Sequence, residues 1–443
     1  MTVVMRRLAW QSLSADIRRT ITHRGLGDII DEGLRADVVA LVDDVRHRGD
    51  AAVLDATRRF DGIDLGGTAR LRVSDDEIAS AAVSPELHAA LRDAVDHVQR
   101  FNEAVLARHG DWNMEIEPGA TVGEKISAIE SVGLFVPGGK ASYPSVAYQL
   151  GVPAVVAGVG HIALLVPPLP NGDGAVDPAV LVVARMLGIT DVFRANGPAG
   201  IAALGFGTDT IGAVRKIVGP GSPAVTIAQV EMQRHGVATM MVLGPTESML
   251  IASRDTDARR AALDLLIEAE HGDDSTVLLV SDDARMIDAI DEHLGAFLAD
   301  MPEVRRDAAR ASLGRNGGAV LVDSIAEAAR IANAFAPEHL QIAFVGAAAD
   351  DLVAAIDHAG EILVGQDTPF SAANFVLGCP ASLPTSGFAK VSSGITVEAF
   401  LKRTAVARAD ARALERMSTT ITTLADHEGF HAHSMAIRRR TAK

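Results

Sequence analysis

Two short runs place a carboxylate beside an imidazole. In Leu266-Ile267-Glu268-Ala269-Glu270-His271-Gly272, Glu268 and His271 are three apart, which puts both on one face of a helix. Such a pair can hold one divalent ion, and Zn2+ accepts both imidazole nitrogen and carboxylate oxygen. The bland reading is a helix C-terminus, where a histidine complements the macrodipole. In Ala336-Pro337-Glu338-His339-Leu340 an acid and an imidazole are adjacent at the mouth of a strand, where α/β enzymes put reacting groups. The alternative is that Glu338 caps a turn. The tail offers His427, Glu428, His431 and His433 within seven residues, as ligands or as solvated side chains.

Three glycine clusters bear on phosphate binding. Pro137-Gly138-Gly139 and Gly219-Pro220-Gly221-Ser222-Pro223-Ala224 each end a strand and precede a helix. The second matches a loose G-x-G-x-x-A form, in which small residues let a phosphate approach backbone N–H groups at a helix N-terminus. Pro220 and Pro223 each remove a donor, so tight βα turns explain the spacing better. Gly205-Phe206-Gly207-Thr208 reads as a helix stop.

The elements that must position these groups alternate. Asp37 to Phe60 and Asp75 to Arg108, the latter opening on Ser74, have helical apolar spacing. Strands are expected over Ser131 to Val136, His161 to Val166, Asp191 to Arg194, Lys216 to Val218 and Ala238 to Leu243, with helices between. A second series runs Ser248 to Ala252, Thr276 to Ser281, Ala319 to Val322, Leu340 to Ala343 and Glu361 to Val364. Strands alternating with helices argue βαβ units and parallel sheets. The expected fold is α/β, with two Rossmann-like doubly wound domains from a duplicated design. Residues 1–129 form an N-terminal helical part packing on the second domain; 130–238 are the first domain and 239–390 the second. Residues 391–443 form a helical arm, helical from Val397 to Arg440, that crosses a homodimer.

Composition narrows the function classes. The 443 residues carry 41 basic and 57 acidic side chains, a net charge of −16, which argues against nucleic acid as a partner. The most apolar segment, Val146 to Pro170, is broken by six Gly and Pro residues and does not read as a membrane span. One cysteine, Cys379, excludes an internal disulfide and fits a reducing compartment. No secretory address is visible, so the cytoplasm is expected.

Taken together, the chain after Arg100 resembles the histidinol dehydrogenase family, the zinc- and NAD-dependent enzymes that close histidine biosynthesis. The resemblance rests on Gly133-Leu134-Phe135-Val136-Pro137-Gly138-Gly139, Ile201-Ala202-Ala203-Leu204, Lys216-Ile217-Val218-Gly219-Pro220-Gly221, Gly244-Pro245-Thr246-Glu247, Ala269-Glu270-His271-Gly272, Pro337-Glu338-His339-Leu340 and Leu383-Pro384-Thr385. It implies oxidation of an amino alcohol to the acid in two hydride steps. His339 would take the alcohol proton and Glu338 would activate water on the aldehyde. His271 and His433 match two zinc ligands. At the other two, Glu268 stands where the family has glutamine and Asn374 where it has aspartate, so one carboxylate has moved and none is lost. Thr246, Glu268, His271, His339, Asn374, Glu428 and His433 are the implied substrate contacts.

Other positions depart further. A family histidine is Ala381, in the divergent stretch that also holds Cys379, which is therefore expected at the substrate pocket. The cofactor-binding tyrosine, glutamine and asparagine are Phe135, Ala199 and Ser222. This pattern also fits a paralogue acting on another polar alcohol, as sulfopropanediol dehydrogenase does, or a non-oxidative zinc hydrolase on the same fold. A two-lobed binding protein would leave Glu338 and His339 without a purpose.

Overall fold

The computed structural model describes residues 3–22, 32–138, 142–170, 173–240 and 244–441. Gly139 and residues 241–243 of the strand expected over Ala238 to Leu243 lie outside the described residues. A three-residue strand, β1 (Arg7–Ala9), comes first. The helix expected over Asp37 to Phe60 is two, Glu32–Arg48 and Asp50–Ala56. They part at Gly49, whose φ of +55° no other residue adopts so cheaply. The run from Asp75 also divides. A capping box of Ser74 with Glu77 opens Asp75–Ser80, and Ser84 with Pro85 in the first turn opens Pro85–Leu106.

An antiparallel hairpin of β2 (Trp112–Glu117) and β3 (Ala120–Ala128) follows. Then β4 (Ser131–Phe135), β5 (His161–Val166), β6 (Asp191–Arg194), β7 (Lys216–Val218) and β8 (Ala238–Thr239) form a parallel sheet of order β6-β5-β4-β7-β8. The second series is β9 (Glu247–Ala252), β10 (Thr276–Ser281), β11 (Gly318–Leu321), β12 (His339–Ile342) and β13 (Glu361–Val364). These join β1 in a parallel sheet of order β1-β11-β10-β9-β12-β13. Without β1 the two orders are the same, strand for strand, as a duplicated design requires.

Both sheets are covered on both faces, which is why their strands read as continuous apolar runs. On β4, Val132 and Leu134 bury on one face and Phe135 on the other. On β9 and β10, Met249, Ile251, Leu278 and Val280 face one layer of helices. Leu250, Ala252, Val277 and Leu279 face the other.

Two expectations are corrected at the ends of the chain. Among the described residues of 1–129, it is the segment from β1 through the helix Ala15–Thr22 that joins the core of the second domain. The helices Glu32–Arg48 and Asp50–Ala56 pack on Gly197–Phe206, and Pro85–Leu106 packs on Pro144–Val156, all in the first domain. Burial of Val38, Val42 and Val45 among Ile201, Ala202 and Ala203 accounts for that choice. The C-terminal arm is not helical throughout. After a single helical turn at Val397–Phe400 it continues as β14 (Leu401–Ala409), paired antiparallel along the whole of β3. The sequence LKRTAVARA has little intrinsic strand preference, so the partner strand imposes the conformation. Helices Ala411–His427 and His431–Thr441 complete the arm. No helix among the described residues is long and apolar enough to cross a membrane.

A buried carboxylate ties the helix Ala258–Ala269 to β12: Asp264 Oδ2 accepts from Gln341 Nε2 at 2.8 Å. Burial, against the bond from Gln341 and the nearby Arg260 charge, pushes its pKa up to about 6. Folding therefore favours the protonated form, and that contribution is lost as pH rises from about 4 through about 6. Asp264→Asn keeps an acceptor for Gln341 and removes the charge. At pH 8 the variant should be more stable than the parent by about 1–3 kcal/mol, and at pH 4 the two should match. Urea melts giving the same difference at both pH values would contradict this origin.

Candidate active site

A cavity of about 480 Å³ lies between the two domains. Tyr143, Ser145, Val146 and Gln149 line it from the first domain; Thr246, His271, Arg305, Glu338, His339, Asn374 and Ala381 are among those that line it from the second. The first-domain residues belong to the start of the helix that follows β4, at the carboxyl edge of that sheet. The second-domain residues gather at the opposite edge. Glu247 opens β9, His339 opens β12 and Glu361 opens β13, so the Glu338-His339 pair sits at the amino ends of its strands. Doubly wound sheets usually bind ligands at the carboxyl ends. Here one carboxyl edge meets one amino edge, and the cleft between them has both.

The turn into β12 is held from several sides. Ala336 ends the preceding helix with φ +54°, a left-handed conformation costing about 1–2 kcal/mol in a residue with a Cβ. It redirects the chain into Pro337. Gly360 lies against it, and a Cβ there would meet the Glu338 carbonyl oxygen at 2.5 Å. The Gly244 amide donates to Thr385 Oγ1, which links the Gly244-Pro245-Thr246 and Leu383-Pro384-Thr385 motifs.

Glu338 Oε2 accepts from the Glu247 amide at 3.1 Å, and Oε1 lies 3.7 Å from His339 Nε2. Burial, reinforced by the Glu268 charge and opposed by His339, pushes Glu338 up to about 7. For His339 burial works against the charged form, but Glu268, Glu338 and Glu361 outweigh it and raise the pKa to about 10. The ring meets the edge of Phe370, with centroids 5.9 Å apart. The surrounding carboxylates thus stabilise the imidazolium that forms when this ring accepts a proton.

Beside the pair, Glu268 is completely buried. Burial alone would raise it, yet His339, His271 and Asn374 hold it down to about 2. Oε1 accepts from Asn374 Nδ2 at 2.8 Å. Oε2 lies 2.9 Å from His271 Nδ1 but has no aligned hydrogen-bond donor. An ionised, buried oxygen lacking a donor fits a cation, so the chemistry of Glu268, His271 and Asn374 suits a divalent metal. Asp367, by contrast, is exposed and pairs with Arg260 at 2.7 Å. Among the described residues no three His, Cys, Asp or Glu side chains of one chain converge as a metal cluster. The arrangement explains this, since one candidate donor is an amide and the fourth, His433, is elsewhere.

The structure brings Glu338, His339, Thr246, Glu268, His271 and Asn374 together. Thr246 Oγ1 reaches His271 Nδ1 at 3.4 Å. Glu428 and His433 are on the arm, exposed, and outside the residues that line this cavity; His433 leans on Phe430. Of the cofactor positions, Phe135 and Ala199 are 1% and 2% exposed in the first-domain core. Only Ser222 is exposed, ahead of the helix Pro223–Arg234, with no capping bond from its side chain. Cys379 does not line the cavity; its Sγ donates to Glu361 Oε2 at 3.6 Å. Burial and the Glu361 charge push that thiol up to about 12, so it is inert rather than nucleophilic.

Three residues had no motif to announce them. Glu361 was hidden by distance in sequence, though the expected strands Leu340 to Ala343 and Glu361 to Val364 already set their first residues almost side by side. Gln149 is buried with Nε2 lacking a partner, and it lines the cavity where a bound acceptor group would satisfy it. Arg305 donates to the Glu270 carbonyl at 2.9 Å and is the one Lys or Arg among the described residues that line the cavity.

A model of the family described as histidinol dehydrogenase matches residues 28–441. Histidinol dehydrogenase of Synechocystis sp. is 42% identical over 418 residues, covering 93% of each chain. That of Rhizobium meliloti is 40% identical, covering 92% of this chain and 93% of the relative. The crystal structure of histidinol dehydrogenase from Elizabethkingia anophelis superposes with a TM-score of 0.92 at 30% identity, covering 99% of this chain and 98% of that one.

Proposed function

The chain belongs to the histidinol dehydrogenase family, and from this membership and the geometry of the cleft we propose that it oxidises a polar alcohol through the aldehyde to the carboxylic acid. L-histidinol to L-histidine is the nominal reaction, with zinc and NAD as cofactors. The observation that carries this reading is the buried Glu338-His339 pair in one cavity with His271 and Asn374, to which the fully buried Glu268 is joined.

NAD would supply the hydride acceptor for both oxidations, and zinc would supply a Lewis-acid centre that orients the substrate. Ser222, at the carboxyl edge of the first sheet, would hold part of the dinucleotide, where doubly wound folds bind it. Phe135 and Ala199, buried, contribute shape rather than hydrogen bonds. His339 Nε2 takes the hydroxyl proton as the carbonyl forms. Glu338 then removes a proton from water adding to the aldehyde. Its raised pKa suits a group that must accept a proton near neutrality.

Glu268, His271 and Asn374 would hold the metal from one chain, and the arm of a second copy would bring His433 and Glu428. The arm and the hairpin it pairs with have the surface for such a partner: Trp112, Met114 and Ile116 on β2 are about half exposed, as are Leu424, Phe430 and Met435 on the arm. The unpaired Cys379 fits a reducing compartment, and we place the activity in the cytoplasm.

A paralogous substrate, another polar alcohol such as a sulfonated diol, is favoured by Ala381 and Gln149 in the cavity lining. Purified protein with zinc and NAD is offered histidinol and, separately, other polar amino alcohols and diols. NADH formed from histidinol supports the nominal reaction; NADH formed from another alcohol alone assigns a paralogue. Absence of NADH from all of them would refute the oxidation. In Glu338→Gln, oxidation of supplied aldehyde should fall ~10²-fold or more while alcohol oxidation changes less than about tenfold. Equal loss in both would remove the division of roles.

A further inference from the structure

Glu361 is a carboxylate at the active site that the roles above leave unused. It opens β13 directly opposite His339 in the parallel register of β12 and β13. Glu361 Oε1 and His339 Nδ1 are 2.5 Å apart, with both side chains buried. Glu361 Oε2 accepts from the Cys379 thiol. The other ring nitrogen, Nε2, is the one near Glu338, and the residue lines the cavity.

We propose that Glu361 is a positioning residue for His339, holding its proton on Nδ1 so that Nε2 keeps the lone pair that receives the substrate proton. This rests on the reading of His339 as the base. An ionised carboxylate only accepts, so the nitrogen facing it must carry hydrogen. In a neutral imidazole the other nitrogen is then the acceptor. Two strands set the pair in place, and the edge of Phe370 abuts the ring. When the alcohol proton moves to Nε2 the imidazolium retains Nδ1–H on Glu361, whose carboxylate stabilises the positive charge. Cys379 supplies a neutral donor to the second carboxylate oxygen, leaving Oε1 for the ring. The logic is that of an acid–imidazole pair in hydrolases, applied to a proton that leaves as hydride departs.

Glu361→Gln tests it, because an amide can offer hydrogen to Nδ1 and reverse the tautomer with almost no change in volume. Turnover of the alcohol should fall ~10²–10⁴-fold in kcat with KM within about twofold. Metal content and melting temperature should stay those of the parent. Glu361→Asp, which keeps the carboxylate, should recover roughly tenfold or more over Glu361→Gln. A strongly deshielded imidazole N–H proton resonance should be present in the parent and Glu361→Asp, and absent in Glu361→Gln and His339→Asn. A kcat for Glu361→Gln within about threefold of the parent, or a loss matched by lost metal and lost thermal stability, overturns the proposal. If the parent oxidises no alcohol, the reading of the function fails, while the resonance still decides the pairing: its persistence in Glu361→Gln overturns it.

Discussion

Replacing His339 with asparagine is expected to lower kcat for alcohol oxidation by ~10²–10⁴-fold, the contribution typical of a positioned general base. His339 is 4% exposed and surrounded by Glu268, Glu338 and Glu361, so water has little access to replace it. Asparagine is close in size, and its amide can still donate to Glu361, which keeps β12 and β13 in register. Substrate and metal binding should therefore survive, and the loss should appear in kcat rather than KM. Both oxidation steps begin with a hydroxyl that must lose its proton, so both should slow. Stopped-flow detection of NADH with alcohol, and then with aldehyde, separates the steps. A variant within tenfold of the parent in kcat would exclude His339 as the base.

The second large effect concerns the relocated carboxylate. Glu268→Gln leaves two amides and imidazoles as the candidate donors, with no anion among them. Loss of an outer-sphere partner typically costs ~10–100-fold in metal affinity, and loss of the ligand's charge should exceed that. Asn374→Asp alone adds a second carboxylate 2.8 Å from the first, and the two should repel unless a cation lies between them. The double variant, Glu268→Gln with Asn374→Asp, moves the single charge across the same hydrogen bond and should regain most of the affinity. Zinc titration against a competing chelator, with the content of dialysed protein, reads these differences. Full affinity in Glu268→Gln would remove Glu268 from the metal site. A double variant no better than Glu268→Gln would show that the charge is not transferable across the pair.

How much of this was legible beforehand depends on how far each feature travels along the chain. The alternating strands were, because a parallel strand covered on both faces leaves an apolar run four to six residues long, as in His161–Val166 and Thr276–Ser281. Glu268 with His271, and Glu338 with His339, were legible because one helix turn or one peptide bond brings them together. Glu361, Gln149 and Arg305 were not, since each arrives through packing of a different element. β14 was hidden for a related reason: its conformation belongs to its pairing with β3, and its composition would suit a helix. The placement of the N-terminal helices on the first domain likewise depended on Val38, Val42 and Val45 choosing between two similar apolar surfaces.

The register of β1 with β11 sets an order of events during synthesis. Arg7 pairs with Ala319 and Ala9 with Leu321, so this edge strand emerges from the ribosome more than three hundred residues before its partner. The first sheet, by contrast, takes all five of its strands from residues 131–239. It can close while the second is still being translated. Until β1 docks, β11 presents an unpaired edge open to another chain. A chain shortened at its beginning by ten residues should therefore keep its first sheet and aggregate through its second, a vulnerability of the nascent protein that its finished fold conceals.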